Sequence, residues 1–215
     1  MSFIGHKLTD AELVSAVADG RFTSDDKSRR ARALGLERIL YVCRECGISR
    51  HITRADTLRC SICGCTAKIL PSGELEYTEG AKFATLRKWY EYQKEFISTL
   101  TPDESGSTPI ISDTVSFDDV TAKKKARILR KGTLSLFSDR LVIAAPNGET
   151  IDFSLKDTED VCLSGACGIN VYYGEGVYQF LGGRDFCALK YVNLFFRLKS
   201  IARGEERAEY LGVQE

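Results

Sequence analysis

Apolar and polar residues recur with helical spacing in several stretches of the chain. In the first, Thr9-Asp10-Ala11-Glu12 has the pattern of a capping box, and a short apolar stripe follows as far as Gly20. A second N-terminal signature, Ser24-Asp25-Asp26, predicts a basic helix that ends at Gly35. Residues 81–98 carry aromatic and apolar side chains at helical spacing, which predicts an amphipathic helix.

From about residue 110 the pattern changes to short β-like runs separated by turn residues. A closing helix with one apolar face is predicted from about Asp185 to Arg203. Seven strands followed by one helix is the element order of a pleckstrin-homology or GRAM-like β-barrel, in which the helix plugs one open end. The seven runs are Ala126–Arg130, Gly132–Phe137, Arg140–Ala145, Thr150–Leu155, Asp160–Leu163, Ile169–Tyr173 and Val177–Leu181.

These patterns predict an α+β chain, and the linker-like tract between Thr101 and Pro109 sets the main boundary. The tail after Gly204 is charged and is expected to fray. The predicted parts are an N-terminal helical segment at 1–35, a zinc ribbon plus amphipathic helix at 36–100, a linker at 101–110, the pleckstrin-homology/GRAM-like domain at 111–205 and a tail at 206–215.

Two C-x-x-C-G motifs, Cys43 to Gly47 and Cys60 to Gly64, are the strongest chemical signal in the chain. Thirteen residues separate the pairs, which is the spacing of a four-thiolate zinc ribbon. The glycine after each pair allows the backbone to turn back on the metal. We therefore predict one structural Zn²⁺, because four protein ligands leave no open coordination position for water or substrate. Its ligands are Cys43, Cys46, Cys60 and Cys63.

His51 and Cys65 lie close to these motifs in sequence and are alternative ligands, although four cysteines already complete the site. The other cysteines, Cys162, Cys167 and Cys187, have no disulfide spacing, and their roles stay open. A reducing cytoplasm is the simpler setting for such a chain.

The composition gives no general argument for a nucleic-acid partner, because 30 basic residues balance 30 acidic ones. Within residues 41–70, however, five Lys and Arg oppose two acids. No apolar run approaches the length of a transmembrane helix, and no secretory leader opens the chain.

Six basic residues lie between positions 123 and 131. They could hold anionic lipid headgroups at the first hairpin of the predicted barrel. Side chains alternate across a strand, however, so these residues cannot share one face without a bulge. A solvated strand edge, protected by lysines against aggregation, is an equally good interpretation. The tentative lipid- or anion-binding residues are Lys123, Lys124, Lys125, Arg127, Arg130 and Lys131.

His51 and Asp56 form an H-x4-D pattern, which is the catalytic dyad of glycerolipid acyltransferases. The pattern falls between the two cysteine pairs, on a short ribbon without an acyl-chain groove. A chance match is therefore the favoured interpretation.

The segment Gly35-Leu36-Glu37-Arg38-Ile39-Leu40-Tyr41-Val42-Cys43-Arg44-Glu45-Cys46-Gly47 resembles the C-terminal extension of bacterial lysophospholipid (1-acylglycerol-3-phosphate) acyltransferases. Segments Gly73–Glu76 and Trp89–Gln93 are similar to those after that family's ribbon, and Asp25-Asp26 to the region before it. The resemblance covers about residues 9–100 well and the β-rich part loosely. The family's acyltransferase domain is missing here, so the resemblance implies an accessory module near phospholipid metabolism and supplies no catalytic residue.

Three functional hypotheses follow from these observations. The first is a non-enzymatic accessory module whose barrel contacts a protein partner or an anionic membrane surface, peripherally at the inner face of the membrane. The second is nucleic-acid binding by the ribbon, with Arg44, Arg50, Arg54 and Arg59 on phosphates. The third is an acyltransferase that uses His51 and Asp56, and it is the least favoured.

Overall fold

The structure is a computed structural model, and it describes residues 8–20, 33–78, 80, 82–102, 106–122 and 126–213. The chain divides into two compact units, with the boundary between Phe96 and Ile97. Residues 101–110 therefore fall inside the second unit. The element content is mixed α+β, with mainly antiparallel sheets.

The first unit begins with helix α1, Asp10–Ala18, and its start confirms the predicted capping box. The Thr9 hydroxyl accepts a hydrogen bond from the Glu12 N–H at 3.3 Å, and the Glu12 carboxylate accepts one from the Thr9 N–H at 2.8 Å. Its apolar stripe, formed by Leu13, Val14 and Val17, is fully buried. The predicted basic helix after Ser24 lies outside the described residues.

Two small antiparallel sheets follow a short 3-10 helix, Leu36–Arg38. One is the hairpin β1–β2, and the other is a meander in the order β3-β4-β5-β6. In the meander Leu58, Ala67 and Ile69 face the core, while Thr57, Arg59, Thr66 and Lys68, which alternate with them, are half-exposed or exposed. The strands are β1 (Val42–Cys43), β2 (Gly47–Ile48), β3 (His51–Arg54), β4 (Thr57–Cys60), β5 (Thr66–Ile69) and β6 (Leu75–Tyr77).

The amphipathic helix α2 covers Leu86–Ser98, so it begins five residues later than the pattern predicts. Thr85 ends the preceding loop, and its hydroxyl accepts a hydrogen bond from the Lys88 N–H at 3.2 Å. This is the geometry of a helix N-cap, which explains why the helix begins there. The helix buries Trp89 and Tyr90 in the first unit.

The second unit consists mainly of a seven-stranded antiparallel sheet in the order β10-β9-β8-β7-β13-β12-β11, followed by helix α3. The described residues show no pairing between the edge strands β10 and β11, so the expectation of a closed barrel is corrected to an open sheet. The elements are β7 (Ile111–Asp119), β8 (Ala126–Leu136), β9 (Arg140–Ala144), β10 (Thr150–Ser154), β11 (Thr158–Leu163), β12 (Gly168–Tyr173), β13 (Gly176–Gly182) and α3 (Ala188–Ala202).

The open sheet is strongly curled, because its two edge strands are consecutive in the chain. Only residues 155–157 join β10 to β11, and the Thr158 hydroxyl donates to the Ser154 carbonyl at 2.7 Å. Phe153 on β10 packs edge-on against Phe180 on β13, with ring centroids 5.8 Å apart. The sheet thus folds over a shared aromatic core, although its two edge strands do not pair in a backbone ladder.

The strand prediction fails in two places. The runs Ala126–Arg130 and Gly132–Phe137 are one strand, β8, and β7 was not predicted at all. Gly132 lies inside β8, where an added Cβ would lie 2.5 Å from Leu129 Cδ2 and 2.9 Å from the Ala144 carbonyl oxygen. The glycine permits close approach of the neighbouring strand β9.

Helix α3 begins three residues later than predicted and ends one residue earlier. The Tyr191 hydroxyl donates to the Asp113 carboxylate at 2.9 Å, and Lys190 pairs with that carboxylate at 2.6 Å. Burial, reinforced by the nearby Asp113 charge, raises the pKa of Tyr191 well above its usual value. These contacts fasten α3 to strand β7.

The segment after Gly204 is held in place as far as it is described, so the expectation of a frayed tail is wrong. The buried Arg197 guanidinium donates to the Glu205 carbonyl at 3.2 Å and to the Glu206 carbonyl at 2.9 Å. The Ala208 N–H donates to the Ser98 carbonyl at 2.9 Å. The fraying was predicted from the charged side chains of this segment, but its backbone carbonyls attach it to Arg197.

Candidate metal centre

The four predicted zinc ligands come together in the first unit. The sulfur atoms of Cys43, Cys46, Cys60 and Cys63 all lie within 4.8 Å of one another. The Cys43 and Cys63 sulfurs are 3.6 Å apart, and those of Cys46 and Cys60 are 3.4 Å apart. Four sulfurs at about 2.3 Å from a tetrahedral zinc would be separated by about 3.8 Å. The cluster therefore has the dimensions of a four-thiolate metal site.

The two cysteine turns have the same hydrogen-bond pattern. The sulfur of Cys43 accepts from the N–H groups two and three residues further along the chain, those of Glu45 and Cys46. The sulfur of Cys60 accepts from the N–H groups of Ile62 and Cys63, at the same two offsets. Backbone donors aimed at a sulfur favour its thiolate form. Each C-x-x-C turn thus prepares its first cysteine to bind a cation.

The glycines that follow the turns have the backbone conformation expected from the motif. Gly47 has a φ of 75° and Gly64 a φ of 78°, in the left-handed region. Residues with a Cβ adopt this conformation at an energetic cost. In the second turn the Gly64 N–H closes a hydrogen bond to the Cys60 carbonyl at 3.1 Å. The glycine predictions are confirmed.

Burial and hydrogen bonding shift the cysteine pKa values in opposite directions. Burial raises the pKa of Cys43 to about 11 and also raises that of Cys46. Burial acts in the same direction on Cys60, but the N–H groups of Cys63 and Ile62 and the Ser49 hydroxyl outweigh it and lower the pKa to about 6. A bound divalent cation would offset the desolvation of the thiolates, so metal binding would release protons.

A clamp from helix α2 holds the backbone that leads into the first cysteine turn. Gln93 is fully buried, and its side-chain oxygen accepts from the N–H groups of Tyr41 at 2.8 Å and Val42 at 3.1 Å. Its side-chain nitrogen donates to the Ile39 carbonyl at 2.9 Å. The Trp89 indole N–H adds a bond to the Val42 carbonyl at 2.7 Å. These side chains position Cys43 and are not part of the cluster of four sulfurs.

Sequence reasoning did not assign this clamping role to Gln93. The sequence around a single glutamine on an amphipathic helix does not reveal that its side chain will contact backbone more than fifty residues away. The stretch Trp89–Gln93 stands out in the sequence only through its resemblance to a segment of the acyltransferase extensions.

His51 is a buried core residue and not a fifth ligand. Its Nδ1–H donates to the Leu40 carbonyl at 2.8 Å, and its ring packs edge-on against Trp89, with centroids 5.1 Å apart. Burial lowers the pKa of His51 to about 4, so the ring is neutral near pH 7. Cys65 also lies outside the cluster of four sulfurs.

The H-x4-D pattern does not form an exposed dyad. His51 is only 1 % exposed in β3, whereas Asp56 lies in the turn between β3 and β4. A general base must reach the proton that it removes, and the described structure gives substrate no access to this ring.

The tentative basic contact residues are only partly described. Lys123, Lys124 and Lys125 lie outside the described residues, and so does the side chain of Arg127. Arg130 and Lys131 are exposed on strand β8. The hypothesis of a shared binding face for these six residues therefore stays a prediction.

No protein-family model matches the chain, and no curated protein matches it significantly. Within the described residues, no helix is both long and apolar enough to cross a bilayer.

Proposed function

We propose that the chain is a non-enzymatic accessory module with a structural zinc site and a pleckstrin-homology-like domain that contacts an anionic membrane surface or a protein partner. The observation that carries this proposal is the cluster of four cysteine sulfurs. Four thiolates complete a tetrahedral zinc site and leave no position for substrate, so such a site stabilises a fold. The contact surface must then lie elsewhere on the molecule.

The connectivity of the second unit supports a pleckstrin-homology or GRAM-like domain. Strands β7–β10 form one meander and β11–β13 another, and β7 pairs with β13 where the two meet. The three-residue connection between β10 and β11 brings the ends of the curled sheet together. One C-terminal helix follows and packs against β11 and β12. This is the element order of such domains, although the edge strands are not paired.

The basic run between residues 123 and 131 is the proposed contact with the membrane or protein partner. Its described part carries the exposed side chains of Arg130 and Lys131. Each basic residue near an anionic bilayer contributes on the order of 1 kcal/mol to binding, so six can support a peripheral contact. The resemblance of residues 35–47 to acyltransferase extensions supports a role in phospholipid acyltransferase systems.

Vesicle flotation tests this proposal. The whole chain is mixed with phosphatidylcholine vesicles, or with vesicles that contain about one third phosphatidylglycerol, at about 0.05 M and about 0.2 M salt. We expect flotation with the anionic vesicles alone, weaker at the higher salt, and lost on changing Lys123, Lys124 and Lys125 to Ala. Absence of flotation under every condition would refute the lipid contact and leave a protein partner as the occupant.

A further inference from the structure

The outer face of the four-stranded sheet in the first unit carries a concentrated set of unpaired cations. We call it the cationic sheet face and define it by Arg50, Ile52, Arg54, Arg59 and Lys68. All five side chains are exposed. Ile52 lies directly opposite Arg59 across β3 and β4, while Arg50 extends the ladder because its carbonyl accepts from the Ser61 N–H at 2.8 Å.

The strand register places these side chains on one side of the sheet. Thr57 on β4 lies opposite Arg54 on β3 and opposite Lys68 on β5, so the three form a row across the strands. The alternate residues, among them Leu58 and Ala67, are buried on the other side. The cations therefore project into solvent together.

None of the four cations forms an ion pair with another described residue. Other basic residues of the first unit are paired, as Arg38 is with Asp10 at 3.2 Å and Arg87 with Glu91 at 2.9 Å. The exposed acids of this sheet, Glu74 and Glu76, lie at its β6 end. Glu76 lies directly opposite Lys68 across β5 and β6, so the excess of positive charge is concentrated at Arg50, Arg54 and Arg59, on and next to β3 and β4.

The apolar centre of the cationic sheet face favours one class of partner. Ile52 is 46 % exposed among the cations. An apolar side chain ringed by basic residues is typical of surfaces that adsorb to the headgroup region of a bilayer.

We propose that the cationic sheet face binds an anionic phospholipid bilayer, with Ile52 entering the headgroup region and the four cations over lipid phosphates. The proposal rests on the proposed membrane contact and adds a second surface to it, in the zinc-binding unit. No chemical step is involved, and binding is reversible and weakened by salt.

The test uses vesicle flotation with the whole, zinc-loaded chain and two variants of the face. The first variant changes Arg54, Arg59 and Lys68 to Gln, which removes three charges but keeps most of each stem. At about fivefold per cation, we expect affinity for vesicles with about one third phosphatidylglycerol to fall roughly 100-fold. The second variant, Ile52→Ser, is expected to weaken binding several-fold at unchanged charge.

A matched control removes three charges elsewhere, by changing Lys82, Lys88 and Lys156 to Gln. These side chains are exposed and lie outside both proposed contact surfaces. Unchanged zinc content and circular dichroism establish that each variant is folded. If the charge variant of the face binds vesicles as the control does, the proposal is wrong.

Two further comparisons separate this proposal from its alternatives. One outcome is that Ile52→Ser leaves vesicle binding unchanged, while the charge variant loses affinity for vesicles and for a random-sequence DNA duplex to the same extent. The face would then be a general polyanion site, and the lipid assignment would fail. The variant with Lys123, Lys124 and Lys125 changed to Ala tests the other surface. Loss of binding in that variant alone would support the proposed function and refute the sheet face. Loss in the face variants alone would support the sheet face as the membrane contact and refute the basic run between residues 123 and 131 as that contact.

Discussion

The clamp of helix α2 on the first cysteine turn leads to a quantitative prediction about Gln93→Leu. The change keeps the apolar volume but removes three hydrogen bonds, those to the Tyr41 N–H, the Val42 N–H and the Ile39 carbonyl. Each buried backbone group that loses its partner costs about 1–3 kcal/mol. Because leucine gains some apolar burial, we expect a net loss of about 3–5 kcal/mol in the free energy of unfolding of the first unit.

The chain reports this change through its own fluorescence. It has one tryptophan, Trp89, and its indole N–H bonds to the same backbone, so its emission follows unfolding of the first unit. With a urea dependence of about 2 kcal/mol per M, the midpoint should fall by roughly 2 M. A colorimetric chelator added to the same titration should take zinc at lower urea from the variant than from the wild type.

A control change on the same helix separates the clamp from a general effect of leucine. Lys88→Leu alters an exposed side chain paired with Glu91, and such pairs contribute less than about 1 kcal/mol. The clamp is refuted if Gln93→Leu unfolds within about 0.5 kcal/mol of the wild type, or if both variants shift equally.

Three other changes test separate parts of the structure. Elemental analysis should find about one zinc per chain, lost in a variant with Cys43→Ser and Cys60→Ser; full retention would contradict the four-sulfur site. His51 has its pKa lowered to about 4, so the unfolded chain alone takes up its proton between about pH 6.5 and pH 4. The free energy of unfolding should therefore decrease as the pH is lowered from about 6.5 to about 4, by at most about 3 kcal/mol, and less steeply in His51→Asn. Urea midpoints at successive pH values would measure this decrease. Equal slopes in the two proteins would count against the buried neutral ring. Gly132→Ala should destabilise the second unit by about 1–3 kcal/mol, since its Cβ would meet Leu129 at 2.5 Å, and an unchanged melting temperature would contradict that crowding.

The metal centre was predictable from sequence because its geometry is local. Each C-x-x-C-G turn places two sulfurs and two N–H donors within five residues, so spacing alone determines the motif. The capping box at Thr9 was predictable for the same reason, since its two hydrogen bonds join residues three apart.

Features that depend on long-range packing were missed. Strand β7 carries Asp113, Asp118 and Asp119, a residue type that is depleted in strands, and its pairing with β8 and β13 is what forms it. The sequence pattern divided β8 into two runs, the second of which begins at Gly132, because it does not reveal the close neighbour that this glycine admits. Whether the edge strands β10 and β11 pair with each other depends on long-range hydrogen bonding, which no local pattern encodes.

The unequal burial of the four sulfur ligands has a kinetic consequence. The first cysteine of each pair, Cys43 or Cys60, is buried, whereas Cys46 is half-buried and Cys63 is exposed. A chelator or an oxidant can therefore reach the site first at Cys63. Metal exchange would then begin with replacement of Cys63, while Cys43, Cys46 and Cys60 would hold the ion. On such a route the rate of zinc transfer depends on the size and charge of the acceptor, and global unfolding of the unit is not required.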